Sequence, residues 1–294
     1  MTALGRLAPG STPPGPARLG RVALHLSILA IVAVWLLPTL GMLVNSLRPA
    51  ADVSRTGWWT ALGPTGRFTI ENYVHVLDQR GLDRAFLNSL LISIPSTIIP
   101  IAIGSFAAYA FAWMQFRGRE VLFVTVIGLL VIPVQMTLIP VLRMFRDAGL
   151  AGEFLTVWLA HTAYGLPFAI YLLRNYMGGL PREVFESAAI DGASAVAIFL
   201  RLALPMSVPA IASLAIFQFL FVWNDLLVAL VFLGATNAEH LPLTVLVANL
   251  SNSNGGEWHY LMAAAFISMV LPIAVFFAFQ RYFVRGITGG SVKG

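Results

Sequence analysis

The chain has 294 residues, of which 58% are hydrophobic and only 11% are charged, and its formal net charge is +5. Ordinary soluble domains carry about 25% charged residues, so this composition excludes that class and indicates an integral membrane protein. The arginines and lysines are spread over short loops and form no basic face, which argues against nucleic acid as a partner. The absence of cysteine excludes disulfides, thiol nucleophiles and thiolate metal sites.

The first third of the chain is predicted to hold a leader, one span and a long outer loop. Residues 1–21 are a flexible cytoplasmic N-terminus, because prolines and glycines are frequent there and acids are absent. Residues 22–47 form the first transmembrane helix, since their uncharged stretch is too long for a signal-peptide core. Residues 48–85 form an extracytoplasmic loop, in which two adjacent tryptophans indicate an interfacial anchor and residues 71–77 a short surface helix.

Five further apolar runs are long enough to cross a hydrocarbon layer of about 30 Å at 1.5 Å per residue. They lie near residues 86–113, 121–142, 154–173, 203–233 and 260–279. These runs predict a five-helix core at residues 86–283 and six spans in total, so both termini lie on one side. Because the runs are continuously apolar, a closed helical bundle is predicted rather than a barrel. Small residues at Gly104, Ala108 and Ala112 predict close helix packing.

The loops set the orientation of the bundle. With the N-terminus inside, the inner segments hold eleven cations and the outer segments seven, which favours cytoplasmic termini. Residues 284–294 are then a cytoplasmic C-terminal tail. Residues 241–250 are apolar but too few to span, so they are predicted to be a re-entrant or interfacial segment of the last outer loop.

The sequence shows no catalytic constellation. It has no phosphate-binding glycine loop, no His-x-x-x-His pair and no Gly-x-Ser-x-Gly elbow. Asp225 is the only acid well inside a predicted span, whereas an intramembrane aspartyl protease needs two. We therefore expect no enzymatic activity, no metal site and no cofactor bound by this chain.

Asp225 nevertheless needs a partner, because a carboxylate at membrane depth costs about 2.5–3.5 kcal/mol on insertion scales. Trp223 and Asn224 lie beside it, and Gln218, seven residues earlier, shares roughly its helical face. Amides and aromatic faces bind the hydroxyls and the apolar face of a sugar ring. These four residues are candidates for a substrate path, and a polar clamp between helices is the alternative.

The polar segment 181–193 holds three carboxylates and follows the fourth predicted span on the cytoplasmic side. Pro181 suits the first position of a helix and Glu183 its first turn. Apolar residues, Phe185 among them, form one side of the helix. Gly192 allows the chain to change direction where the helix ends. The pattern predicts a short amphipathic helix ending in a tight turn. Such a helix fits a groove of another protein, or alternatively lies on the inner membrane face.

Three segments carry a family resemblance. Residues 186–193 resemble the E-A-A-x-x-x-G loop of ABC importer permeases, in the form common in carbohydrate importers. Residues 223–225 and the glycine-rich ending 280–294 are similar to the maltose-type permease subunit with a cytoplasmic tail. The resemblance covers about residues 22–294. The sequence departs from the family pattern at Ser187, where the family usually has alanine. The serine adds a hydroxyl to the surface of this loop.

The resemblance implies an all-α membrane protein with six transmembrane helices, the type I ABC importer permease fold, and a coupling helix at residues 181–193. It implies a permease subunit of an ATP-driven sugar importer in the cytoplasmic membrane of a bacterium or archaeon. The expected partners are a second permease, an ATPase homodimer that binds Mg-ATP, an extracytoplasmic sugar-binding protein, the sugar and membrane lipid. The alternative, an ion-coupled secondary transporter, needs midplane ion residues and usually a repeat between halves, and neither is evident.

The resemblance also implies residue roles. The residues expected to contact the ATPase at the coupling helix are Glu186, Ser187, Ala188, Asp191 and Gly192. Those expected to reach the ATPase from the tail are Gly289, Gly290 and Lys293.

Overall fold

The computed structural model describes residues 18–78, 80–234, 238–251 and 256–288, and this part of the chain contains helices and no strand. The α-helices are α1 Arg18–Ser46, α2 Ala50–Arg55, α3 Glu71–Asp78, α4 Leu82–Trp113, α5 Arg119–Gly128, α6 Val134–Asp147, α7 Phe154–Met177, α8 Arg182–Ile190, α9 Ala195–Ile198, α10 Leu204–Met206, α11 Val208–Trp223, α12 Leu227–Phe232, α13 Leu243–Ser251 and α14 Trp258–Thr288. Short 3₁₀ turns occupy Trp58–Leu62, Leu129–Val131 and Ala238–His240, and Phe199–Ala203 is a π-helix.

Four helices in the described part of the chain are long and apolar enough to cross a membrane, namely α1, α4, α7 and α14. Three of them extend past the predicted boundaries. The first begins at Arg18, inside the predicted flexible leader, and α4 begins at Leu82, inside the predicted outer loop. The last continues to Thr288, inside the predicted tail. Helices therefore begin and end in the polar flanks, which hydropathy assigns to loops.

Two predicted spans are broken rather than continuous. Residues 119–131 and 134–147 meet at 99°, and residues 195–206 and 208–223 meet at 71°. At the first break Ile132 is extended (ψ 117°), as expected before Pro133. The run 203–233 also breaks after α11, so it is not one helix. The described helices give six crossings only if each bent pair crosses once, and the predicted number of six spans stays a prediction.

The centre of the bundle is the pair α4 and α7, which pack along their length and are joined by α11. Gly104 on α4 faces Ala169 on α7, and a β-carbon at position 104 would lie 2.9 Å from that of Ala169. Ala108, one turn further, is fully buried. The close packing predicted from the small residues is therefore present, with α7 as the partner helix.

The predicted outer loop folds onto the ends of α1 and α14. Asn72 on α3 is buried, and its Nδ2 donates to the carbonyl oxygens of Ser46 (2.8 Å) and Arg48 (2.9 Å), which fastens α3 to the end of α1. Helix α3 also packs against α14, and its Val76 is fully buried. The predicted surface helix therefore exists, but it is built into the outer layer. Helix α13, in the predicted re-entrant segment, packs between α4 and α14.

Candidate functional site

Helix α8, Arg182–Ile190, forms where the sequence predicts a short amphipathic helix. Its end is a tight turn, in which the Gly192 amide donates to Ala189 O (3.1 Å) and the Ala193 amide to Ala188 O (3.0 Å). Gly192 has φ +80°, the left-handed conformation in which other residues are strained. A β-carbon there would meet no atom within 4 Å, so the turn needs glycine for its backbone and not for space.

An aromatic stack is the main contact that attaches α8 to the membrane bundle. Phe185 is the buried residue of α8, and its ring stacks on Trp113 with centroids 4.0 Å apart and planes at 10°. Trp113 is the last residue of α4, and its Nε1 donates to the carbonyl oxygen of Met177, the last residue of α7 (3.1 Å). The ends of α4 and α7 are thus joined at the point where α8 rests. The sequence prediction missed Trp113, although an indole at the end of an apolar run is a signal for such a junction.

The opposite face of α8 is open. Four of the predicted contact residues are exposed, namely Glu186, Ser187, Asp191 and Gly192. Ala188 is half-buried and packs against the core cluster around Phe185. Ile190 is 86% exposed and adds an apolar side chain to this open side. The sequence analysis overlooked Ile190, because it counted the apolar residues of this segment as one side.

The predicted tail contacts Gly289, Gly290 and Lys293 lie outside the described residues. In the described part of the chain, no group of three His, Asp or Glu side chains could hold a metal ion.

Gln218 borders an aromatic cavity of about 400 Å³ between α7 and α11. Its principal lining residues are Tyr164, Gly165, Phe168, Phe217, Gln218 and Phe221. The Gln218 amide lies directly over Gly165, where a β-carbon would be 2.7 Å from its Nε2, and Nε2 donates to Ser96 O (3.2 Å). A polar amide is therefore held at the wall of a mostly aromatic cavity, because Gly165 leaves room for it.

The other predicted path residues do not line the aromatic cavity. Trp223 is buried, and its Nε1 donates to Ser268 O on α14 (3.0 Å). Asn224 is exposed, and its Nδ2 donates to Leu220 O (2.8 Å). Helix α11 ends at Trp223, so these residues do not continue the face that carries Gln218.

Asp225 lies at the break between α11 and α12 and caps the second of these helices. Its Oδ1 accepts from the Val228 amide (3.3 Å) and its Oδ2 from the Ala229 amide (3.0 Å). On the side of α7, Oδ2 is 3.7 Å from Nε2 of the buried His161. The helix break, which the sequence analysis did not predict, brings His161 to Asp225.

Comparisons with known proteins agree with this architecture. The chain is 58% identical over 276 residues to the osmoprotective compounds uptake permease protein GgtD of Synechocystis sp., covering 93% of this chain and 92% of that protein. It is 42% identical to the alpha-glucoside transport system permease protein AglG of Rhizobium meliloti, covering 92% and 97%. It is 32% identical to the arabinooligosaccharides transport system permease protein AraQ of Halalkalibacterium halodurans, covering 91% and 94%.

The fold is similar to one in the crystal structure of a bacterial ABC transporter involved in the import of the acidic polysaccharide alginate. The TM-score is 0.71 at 20% identity, over 94% of this chain and 100% of that chain. The predicted all-α ABC importer permease fold is thereby confirmed. Residues 100–289 also match the family described as binding-protein-dependent transport system inner membrane component. The chain therefore belongs to this family of ABC importer permeases.

Proposed function

We propose that this chain is one of two permease subunits of an ATP-driven sugar importer, and that it receives the motion of the ATPase through α8. The observation that carries this proposal is the construction of α8, which has an open polar face, a glycine turn and one aromatic anchor in the bundle. The alpha-glucoside and arabinooligosaccharide transport named for two relatives supports a sugar as the substrate.

The ATPase would seat against the exposed side of α8. Glu186 and Asp191 supply negative charge there, Ser187 a hydroxyl, and Ile190 an apolar contact in the same region. Gly192 lets the chain leave the groove without strain. Ala188 supports the helix from the bundle side, and Gly289, Gly290 and Lys293 are proposed as further ATPase contacts. ATP and its magnesium would bind to that separate ATPase homodimer, and this chain would carry out no catalysis.

The sugar path would pass the aromatic cavity between α7 and α11. Phe168, Phe217 and Phe221 offer apolar faces to a sugar ring, and Gln218 offers an amide to its hydroxyls. In this proposal, Trp223, Asn224 and Asp225 lie behind the cavity wall and support it. The second permease would close the path, and an extracytoplasmic binding protein would deliver the sugar. Both termini would lie in the cytoplasm.

The proposal is tested with the complete complex in proteoliposomes. Wild type should couple sugar uptake to ATP hydrolysis stimulated by the binding protein, and both Glu186→Lys and Gly192→Trp should abolish that stimulation. Glu120→Lys is the matched control, because Glu120 is exposed on α5 and undergoes the same charge change. Wild-type stimulation in both α8 variants would refute the coupling role. Uptake that needs an ion gradient and no ATP would instead establish the secondary transporter.

A further inference from the structure

A second, much smaller cavity lies behind the aromatic one, between α4, α7 and the break that separates α11 from α12. Ser89, Ser93, His161, Asp225 and Thr244 are its polar lining. It offers about 10 Å³ to the centre of a water molecule, which is about the space that one water requires.

Two of the polar side chains around this cavity have no hydrogen-bond partner among the described residues. His161 is 1% exposed, and both of its ring nitrogens are unpaired. Its Nε2 is 3.7 Å from Asp225 Oδ2, which is too long for a hydrogen bond. The hydroxyl of Ser93 is equally buried and also unpaired. Buried polar groups are rarely left in this state, because each one loses its hydration without compensation.

Asp225 can accept more hydrogen bonds than it receives. Each carboxylate oxygen accepts one backbone amide, from Val228 and Ala229, while a carboxylate offers about four acceptor positions. The other two polar groups of the cavity each have one hydrogen-bond partner already. Ser89 Oγ accepts from the Leu243 amide (2.9 Å), and Thr244 Oγ1 donates to Asp225 O (2.7 Å). The unpaired groups and the spare acceptor therefore converge on one small space.

We propose that this cavity binds one ordered water molecule, which bridges the His161 ring, the Ser93 hydroxyl and the Asp225 carboxylate. A buried water makes two to four hydrogen bonds, so these three groups suffice to hold it. The water donates to the carboxylate and gives a partner to one ring nitrogen of His161 and to the Ser93 hydroxyl. A metal cation fits less well, because hard cations take about six oxygen ligands and this cavity presents one carboxylate that already accepts two amides.

The bridge gives His161 a positioning role in the sugar path, and this step rests on the proposed function. The His161 ring meets Phe221 edge-on, with centroids 6.3 Å apart and planes at 89°. Phe221 lines the aromatic cavity, as does Tyr164, which follows His161 by one turn of α7. The water thus ties α7 to the joint between α11 and α12, directly behind the wall that faces the sugar. Without it, the Asp225 carboxylate would lose its link to His161, while α12 would still pack directly against α7.

The water is tested by a density map of the complete complex at a resolution that shows ordered solvent. We expect one peak within about 2.7–3.2 Å of a His161 ring nitrogen, Ser93 Oγ and an Asp225 oxygen. Ser93→Ala should lower the occupancy of that peak. Ser96→Ala is the control, since Ser96 has an equally buried, unpaired hydroxyl on α4 outside this cavity. An empty cavity, a direct His161–Asp225 hydrogen bond, a cation or an unchanged peak in Ser93→Ala would each overturn the bridge.

The positioning role is tested by sugar uptake. His161→Leu should lower the uptake rate about tenfold at equal complex assembly, because it removes the bridge. His161→Gln keeps a hydrogen-bonding end and should restore most of the rate. Equal rates in both variants would overturn the positioning role. If the wild type itself imports no sugar, the proposed function fails, and the density map still decides whether the water is bound.

Discussion

The contact between Trp113 and Phe185 allows a quantitative prediction about coupling. Trp113→Ala removes an aromatic stack worth about 0.5–1.5 kcal/mol and a hydrogen bond to Met177 O worth about 0.5–1.5 kcal/mol. Only the stack reaches α8, so its loss weakens the anchoring of α8 by about 0.5–1.5 kcal/mol and raises the population of detached α8 about 2- to 13-fold. The lost hydrogen bond loosens the junction between α4 and α7. Motion applied to α8 would then be lost before it reaches α4 and α7.

We expect Trp113→Ala to retain basal ATP hydrolysis but to consume several times more ATP per sugar imported, measured in proteoliposomes of the complete complex. Trp113→Phe keeps a ring against Phe185, so its ATP consumption per sugar should lie between those of wild type and Trp113→Ala. Trp59→Ala is the matched control, because Trp59 is 65% exposed in the outer loop. A Trp113→Ala complex with wild-type coupling, assembled normally, would refute the view that this ring transmits the motion of α8.

Three other predictions concern the bundle, the cavity and the outer loop. Gly104→Ala should lower the melting temperature of the purified protein, since its methyl group would press on Ala169, and adding Ala169→Gly should restore it; no rescue would contradict the contact. Gln218→Ala should raise the KM for sugar uptake about tenfold with assembly unchanged, and an unchanged KM and sugar preference would remove Gln218 from the path. The Arg67 guanidinium, which donates to the Asp52 carboxylate (2.8 Å), holds the pKa of that carboxyl below its ordinary value. The pair therefore stabilises the loop above about pH 4 and loses this effect as the pH falls through the lowered pKa. Protection of the amides of residues 50–67 from hydrogen exchange, relative to the intrinsic exchange rate at each pH, should fall in that acidic range for wild type and not for Arg67→Gln, and identical profiles would contradict it.

The features that the sequence predicted well depend on neighbours in the chain. Helix α8 and its turn follow from short-range rules, because Glu183 lies in a first turn and Gly192 takes a conformation that few residues adopt. The packing of Gly104 also follows from residue size alone. These predictions needed no knowledge of where another helix lies.

The features that the sequence did not predict depend on where a helix bends or ends, and so on the direction in which the chain continues. Hydropathy measures how apolar a run is and not whether it bends, so the break before Pro133 was hidden within one run. Gln218 and Asp225 share a face only if the helix continues straight between them. Helix α11 ends at Trp223, and Asp225 therefore turns toward His161 instead of the aromatic cavity. The polar site between these two residues could only be found after the break was known.

The attachment of α3 to α1 determines how the first helix responds to membrane thickness. The 27-residue span Gly20–Ser46 of α1 is about 40 Å long at 1.5 Å per residue, against a hydrocarbon layer of about 30 Å. Such hydrophobic mismatch is relieved by tilting. Asn72 holds the C-terminal end of α1 at Ser46 and Arg48, so this end is the pivot. A thinner bilayer therefore tilts α1 further and displaces its N-terminal end along the membrane plane.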